Sequence, residues 1–217
     1  MSAPIPNLQT LFPHNATYPT ALKNCAAFKT APPLTAIGNP DLLFQNSVAL
    51  FCSIKCPGDL ILQTYDLAQA LRDANIPVIS GFHTPIEQDC LKILLRGTQP
   101  IIHCPARSLH TLRLSPDQQQ AIADHRLLLL SPFKANYARA TAALAEKRNA
   151  MIGAIAHRIL ITYAAPNSKT LALAKTLMAA GKSVATFASS SNPLSQEQGM
   201  VTLDINNEKL DLITTLL

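Results

Sequence analysis

From Ser47 to Phe187 short apolar runs alternate with helical stretches, and no other feature limits the possible folds so severely. The runs Val48 to Ser53, Ile76 to Ser80, Pro100 to Cys104, Arg126 to Leu130, Arg158 to Thr162 and Ser183 to Phe187 are too short for helices and mostly apolar. Such runs suit strands buried on both faces. Between them the helix starts are marked by side chains that satisfy first-turn N–H groups. Thr84-Pro85-Ile86-Glu87 is a capping box with proline at the first helical position, and Ser115-Pro116-Asp117-Gln118 repeats the arrangement. Further helices are predicted over Asp59 to Asn75, Ala138 to Ala156, Ser168 to Ala180 and Asn206 to Leu216. Strand–helix alternation implies right-handed crossovers. The expected fold is therefore α/β, a Rossmann-like three-layer domain with a mostly parallel sheet and helices on both faces.

Residues 1–46 hold seven of the 16 prolines and read as an extended arm with one short helix around Pro19 to Phe28. Residues 47–188 form the expected core, and 189–217 a C-terminal extension with a terminal helix. Met1 to Asn15 lacks a basic start and an apolar run, so no secretory signal is expected. No apolar stretch approaches the roughly 18 residues of a membrane span. The five cysteines include no C-x-x-C pair, which fits free thiols in a reducing cytoplasm.

Charge is unevenly placed. Between Cys90 and Gln196 thirteen basic residues face three acidic ones, and from Lys147 to Gln196 there is no acidic residue. That bias fits either a solvated basic face or an anionic ligand such as a nucleotide or nucleic acid. In a parallel sheet a ligand binds beyond the carboxyl ends of the strands, where helix N-termini carry positive partial charge. The first strand feeds Cys52-Ser53-Ile54-Lys55-Cys56-Pro57-Gly58, a small-residue loop with one cation. It is not G-x-G-x-x-G, which argues against a dinucleotide cofactor. The second feeds Ser80-Gly81-Phe82-His83-Thr84-Pro85. His103-Cys104-Pro105-Ala106-Arg107 follows the third, and Asn167-Ser168-Lys169-Thr170 opens a helix after the fifth. Cys52, Cys56, His83, His103 and Cys104 have poor zinc spacing, and no metal or cofactor is expected.

In order and spacing these motifs resemble the DprA/Smf family of DNA-processing proteins, also called DNA recombination-mediator proteins. That family lies within the Rossmann-like nucleotide-binding group that includes the cytokinin-activating phosphoribohydrolases. The likeness runs from about Tyr18 to Phe187. Tyr18-Pro19 with Leu22, Pro33-Leu34 and Gly38-Asn39 with Leu42-Leu43 resemble the family's lead-in. Val48 to Lys55 is similar to its Gly-Ser-Arg strand end, Ser80-Gly81-Phe82 with Ile86-Glu87 to its Ser-Gly-Leu-Ala and Gly-Ile-Asp segment, and Arg148-Asn149 to its Arg-Asn-Arg helix start. Departures are also visible. Ile54 stands in place of the arginine with Lys55 one position later, Pro85 replaces a glycine, Glu87 an aspartate, Leu91 a histidine, Ala150 the second arginine and Tyr163 an acid.

The resemblance implies single-stranded DNA in a basic pocket, transfer to a RecA-type recombinase during transformation, and a homodimer, whereas the winged-helix domain found at the carboxyl end of many relatives is not expected. The residues expected to meet phosphate are Ser53, Lys55, Ser80, Gly81, Arg107, Lys147, Arg148, Asn149, Ser168, Lys169 and Thr170, with Phe82, Phe133 and Tyr137 as stacking candidates. About four engaged phosphates give a salt slope near −3. Reversing charge at Arg148 and Lys169 together is expected to abolish binding with the fold intact. The alternative is a small-nucleotide sensor or phosphoribohydrolase-like enzyme using the same pocket, for which Glu87 is the one suitably placed acid. The first reading is a binding module without catalytic activity, and the expected catalytic set is empty.

Overall fold

The structure, a computed structural model, describes residues 8–203. The described chain builds one nine-stranded sheet in the order β1-β2-β6-β5-β4-β3-β7-β8-β9. The strands are β1 (Gln9–Leu11), β2 (Leu34–Gly38), β3 (Val48–Cys52), β4 (Val78–Ser80), β5 (Ile101–His103), β6 (Leu127–Ser131), β7 (Arg158–Tyr163), β8 (Val184–Phe187) and β9 (Val201–Leu203). From β6 to β9 every pairing is parallel, whereas β1 and β2 add antiparallel to the β6 edge. The Rossmann-like α/β expectation is met.

All six strands read from the sequence form. Each carries apolar side chains toward both faces, as buried parallel strands must. Along β3, Val48, Leu50 and Cys52 pack with Leu60, Leu67, Ile86 and Leu94 on one face, while Ala49 and Phe51 pack with Met151, Ile152 and Leu177 on the other. The first layer consists of α1 (Gly58–Asp73), α2 (Pro85–Leu95) and α3 (Pro116–Ala123), and the second contains α4 (Ala142–Ile155) and α5 (Lys169–Ala179).

The caps behave as the sequence indicates. Thr84 and Ser115 both close capping boxes, and Ser168 Oγ accepts the Leu171 N–H. The fourth helix starts at Ala142 rather than Ala138 because Thr141 caps it, accepting from the Leu144 N–H. Around Pro19 the chain makes only a short 3-10 turn, Thr20–Asn24. The helix expected over Asn206 to Leu216 lies outside the described residues.

Strands β1, β2 and β9 were not expected. The first and last have three residues each, and β2 follows the Pro32-Pro33 pair, so none shows a readable period. Gly38 ends β2 with φ +104°, and the Leu127 carbonyl occupies the space where a Cβ would stand. Only glycine lets β2 lie so close to β6.

The chain enters the parallel part of the sheet at β3, runs outward through β4, β5 and β6, then returns to β7 on the other side of β3. That reversal is the topological switch point, where two neighbouring strands send their following loops apart and open a crevice. A register shift after Phe51 pairs Cys52 with Tyr163, and the Ser53 N–H still donates to the Tyr163 carbonyl at 3.0 Å.

Candidate nucleic-acid interface

At the switch point a cleft of about 360 Å3 opens beyond the carboxyl ends of β3 and β7. Its walls come from the β3–α1 loop, the β7–α5 loop, the start of α2 and the first turns of α4. The two loops are tied together by serine hydroxyls. Ser53 Oγ accepts the Ala165 N–H at 3.1 Å and donates to Ser168 Oγ at 3.4 Å. Ser168 also caps α5, so the amides of Lys169 and Thr170 open onto the cleft side of a helix N-terminus.

Beneath this rim lies a buried charged layer. Glu87 is fully covered, and its carboxylate accepts the N–H groups of Cys52 at 3.0 Å, His83 at 2.8 Å and Thr84 at 3.3 Å. Burial pushes its pKa up, against those hydrogen bonds and the nearby Arg148 charge. Arg148 is 3% exposed. Its Nη1 donates to the Cys104 carbonyl at 2.8 Å and its Nε to Asn149 Oδ1 at 2.7 Å. The guanidinium fills the space a Cβ would take at Gly81, so any side chain there would have to displace it. Ser80 is buried with its hydroxyl committed to the Leu50 carbonyl and the Phe82 N–H.

Seven of the expected residues line the cleft together: Ser53, Lys55, Arg148, Asn149, Ser168, Lys169 and Thr170. Ser80 and Gly81 lie one layer below. Arg107 is elsewhere, donating to the Thr111 carbonyl within its own loop. Lys147 is exposed on the opposite flank of α4, since successive helical residues turn by about 100°. Of the stacking candidates Phe82 and Phe133 are buried, whereas Tyr137 is 43% exposed.

Sequence reasoning missed Glu146. Its carboxylate lines the cleft and pairs with Lys169. The pair joins α4 to α5, two helices whose contact no local pattern announces.

The strand-end thiols differ: a hydrogen bond with Cys52 holds the Cys56 thiol below its ordinary value. The Cys104 thiol is buried and pushed up to about 12, the reverse of an activated thiolate. Among the described residues no group of three or more His, Cys, Asp or Glu side chains could hold a metal ion. Among them, too, no helix is long and apolar enough to cross a membrane.

His103 lies edge-on to Phe82, with ring centroids 5.4 Å apart. Burial, and after it the Arg148 charge, hold its pKa down at about 4 against an ordinary 6.5, although a hydrogen bond to the Gly81 backbone opposes them. In the unfolded chain it protonates first as pH falls. The stability its neutral form supports is complete above pH 6.5 and is lost on the way down to about 4. His103→Gln should flatten that part of the profile of urea midpoint against pH. Identical native and variant profiles would contradict this environment.

The fold and the crevice together define a Rossmann-like α/β protein with an anion-sized cleft at its switch point. A family model, DNA recombination-mediator protein A, matches residues 9–209, and the chain belongs to that family. No curated protein sequence matches it. Among solved structures it is similar to DNA processing protein A from Streptococcus pneumoniae, with 19% identity, a TM-score of 0.76, and coverage of 97% of this chain and 75% of that one. It is also similar to DNA processing protein A from Helicobacter pylori, whose single-stranded DNA binding mode has been described, with 19% identity, a TM-score of 0.75, and coverage of 97% and 96%. The molybdenum cofactor binding protein from Rippkaea orientalis shares the fold more distantly, with 12% identity, a TM-score of 0.55, and coverage of 79% and 97%.

Proposed function

We propose that this protein binds single-stranded DNA at the β3/β7 cleft and presents it to a RecA-type recombinase during DNA uptake and recombination, acting in the cytoplasm as a homodimer. The observation that carries the binding step is the convergence of Lys55, Lys169, Ser53, Ser168 and the α5 amides on one cleft. Family membership supports it, as does the single-strand binding of the Helicobacter pylori protein, which has the same fold. Lys55 and Lys169 meet phosphates, and the hydroxyls and amides fix their register.

A nucleotide hydrolase in the same cleft would need a carboxylate free to assist the leaving base. Glu87 already holds three backbone N–H groups, and Glu146 is paired with Lys169. Binding is the better use of this geometry.

Glu146 competes with phosphate for Lys169. In fluorescence anisotropy with a labelled oligo-dT, the native protein is expected to bind and Glu146→Gln to bind up to about fivefold tighter, the scale of one exposed ion pair. Absence of native binding would overturn the function. Unchanged or weaker binding by the variant would remove Lys169 from the phosphate path.

A further inference from the structure

The cleft is short of charge for a polyanion. Lys169 is offset by Glu146, and Arg148 is buried under the influence of the Glu87 charge, which leaves Lys55 as the exposed lining lysine or arginine without an ion pair among the described residues. The unopposed charge lies on the other side of α4. There a second hollow, of about 560 Å3, is bordered by Tyr137, Arg139, Thr141, Leu144 and Lys147. Both cations are exposed, and neither makes an ion pair among the described residues.

Tyr137 is held in place without being covered. Its ring leans on buried Phe133, with centroids 6.0 Å apart, and Phe133 packs with Leu144 and Ala106 in a small cluster of its own. Its backbone is fixed at both ends. The N–H donates to the Lys134 carbonyl at 3.0 Å, and the carbonyl accepts the Ser108 N–H at 2.8 Å. A half-exposed aromatic face that is already ordered loses little entropy when a base stacks on it.

The two hollows are neighbours. Ala142 and Ala145 face the cleft, whereas Thr141, Ala143 and Leu144 face the second hollow, so only the slim first turn of α4 separates them. Three alanines keep that turn close to bare backbone width. The hollows open on opposite flanks of that turn, an arrangement that suits a strand passing over it.

We propose that the Tyr137–Arg139–Lys147 hollow is a second subsite for the same DNA strand, with a base stacked on Tyr137 and phosphates on Arg139 and Lys147. The proposal rests on the single-strand reading of the cleft, and makes its ligand a polynucleotide. Groove-tracking single-strand binders cover about 4–16 nucleotides, in keeping with two adjoining hollows.

The test is anisotropy with oligo-dT of about 20 and about 3 nucleotides. It compares native protein, Tyr137→Ala/Arg139→Ala/Lys147→Ala, and Tyr137→Phe. The triple variant should bind the long oligomer at least about tenfold more weakly, with a salt slope shallower by about 1.4 for two lost phosphates. It should bind the short oligomer as the native protein does, which also shows that it is folded. Tyr137→Phe keeps the aromatic face and should bind the long oligomer normally. Native-like binding of the long oligomer by the triple variant would overturn the subsite and leave the cleft reading standing. Equal losses on long and short oligomers would also overturn it, as would weak binding by Tyr137→Phe for the stacked base. Failure of the native protein to bind either oligomer would overturn the cleft reading itself.

Discussion

Arg148→Met is expected to cost the protein about 3–5 kcal/mol of folding stability, the range for removing one partner of a buried charge pair. The side chain is 3% exposed and lies beneath the cleft. Without it the Cys104 carbonyl has no donor, the buried Glu87 carboxylate has no cation nearby, and the space over Gly81 is refilled by a shape that cannot bond. A urea titration reads the effect directly. A loss below about 1 kcal/mol would mean that the guanidinium is held no more firmly than a surface cation. The expectation that Arg148 and Lys169 could be reversed together with the fold intact is thereby corrected. Reversal at Arg148 would place an acid near Glu87, and both positions are buried.

Lys55→Glu with Lys169→Glu is the pair that separates binding from folding. Both side chains are exposed, so the urea midpoint should move little, while affinity for oligo-dT falls about 100-fold or more. Two cations are lost, and two anions are put where phosphates would lie. Lys169→Glu also meets Glu146, so the rim becomes wholly acidic. Anisotropy at low salt gives the largest contrast, because screening weakens repulsion as ionic strength rises. Undiminished affinity in this double variant would place the strand somewhere other than the cleft.

Much of this architecture is legible before any coordinates. The six inner strands are apolar on both faces, which leaves a continuous run in the sequence, and Thr84, Ser115 and Ser168 mark helix starts by a chemistry the backbone requires. Strand ends are where α/β proteins bind ligands, so Ser53, Lys55, Ser168 and Lys169 could be placed together from order alone. What could not be read depends on contacts between distant segments. Arg148 is drawn inward by a carbonyl in the β5 loop and by a glycine after β4, and nothing beside it in the chain says so. Lys147, one residue earlier, turns outward by helical geometry. Glu146 meets Lys169 only because α4 and α5 pack side by side. Strands β1 and β9 are too short to show alternation.

The measurement that bears most directly on the cleft as a single-strand site is anisotropy of labelled oligo-dT with the native protein across a salt series, with AMP and unlabelled duplex as competitors. Lys55, Lys169, Arg139 and Lys147 offer four phosphate contacts, so log affinity should fall against log salt with a slope near −3, about 0.7 per phosphate. Duplex and AMP should displace the strand poorly. Binding that ignores salt and yields to AMP alone would contradict the account and make the cleft a mononucleotide site.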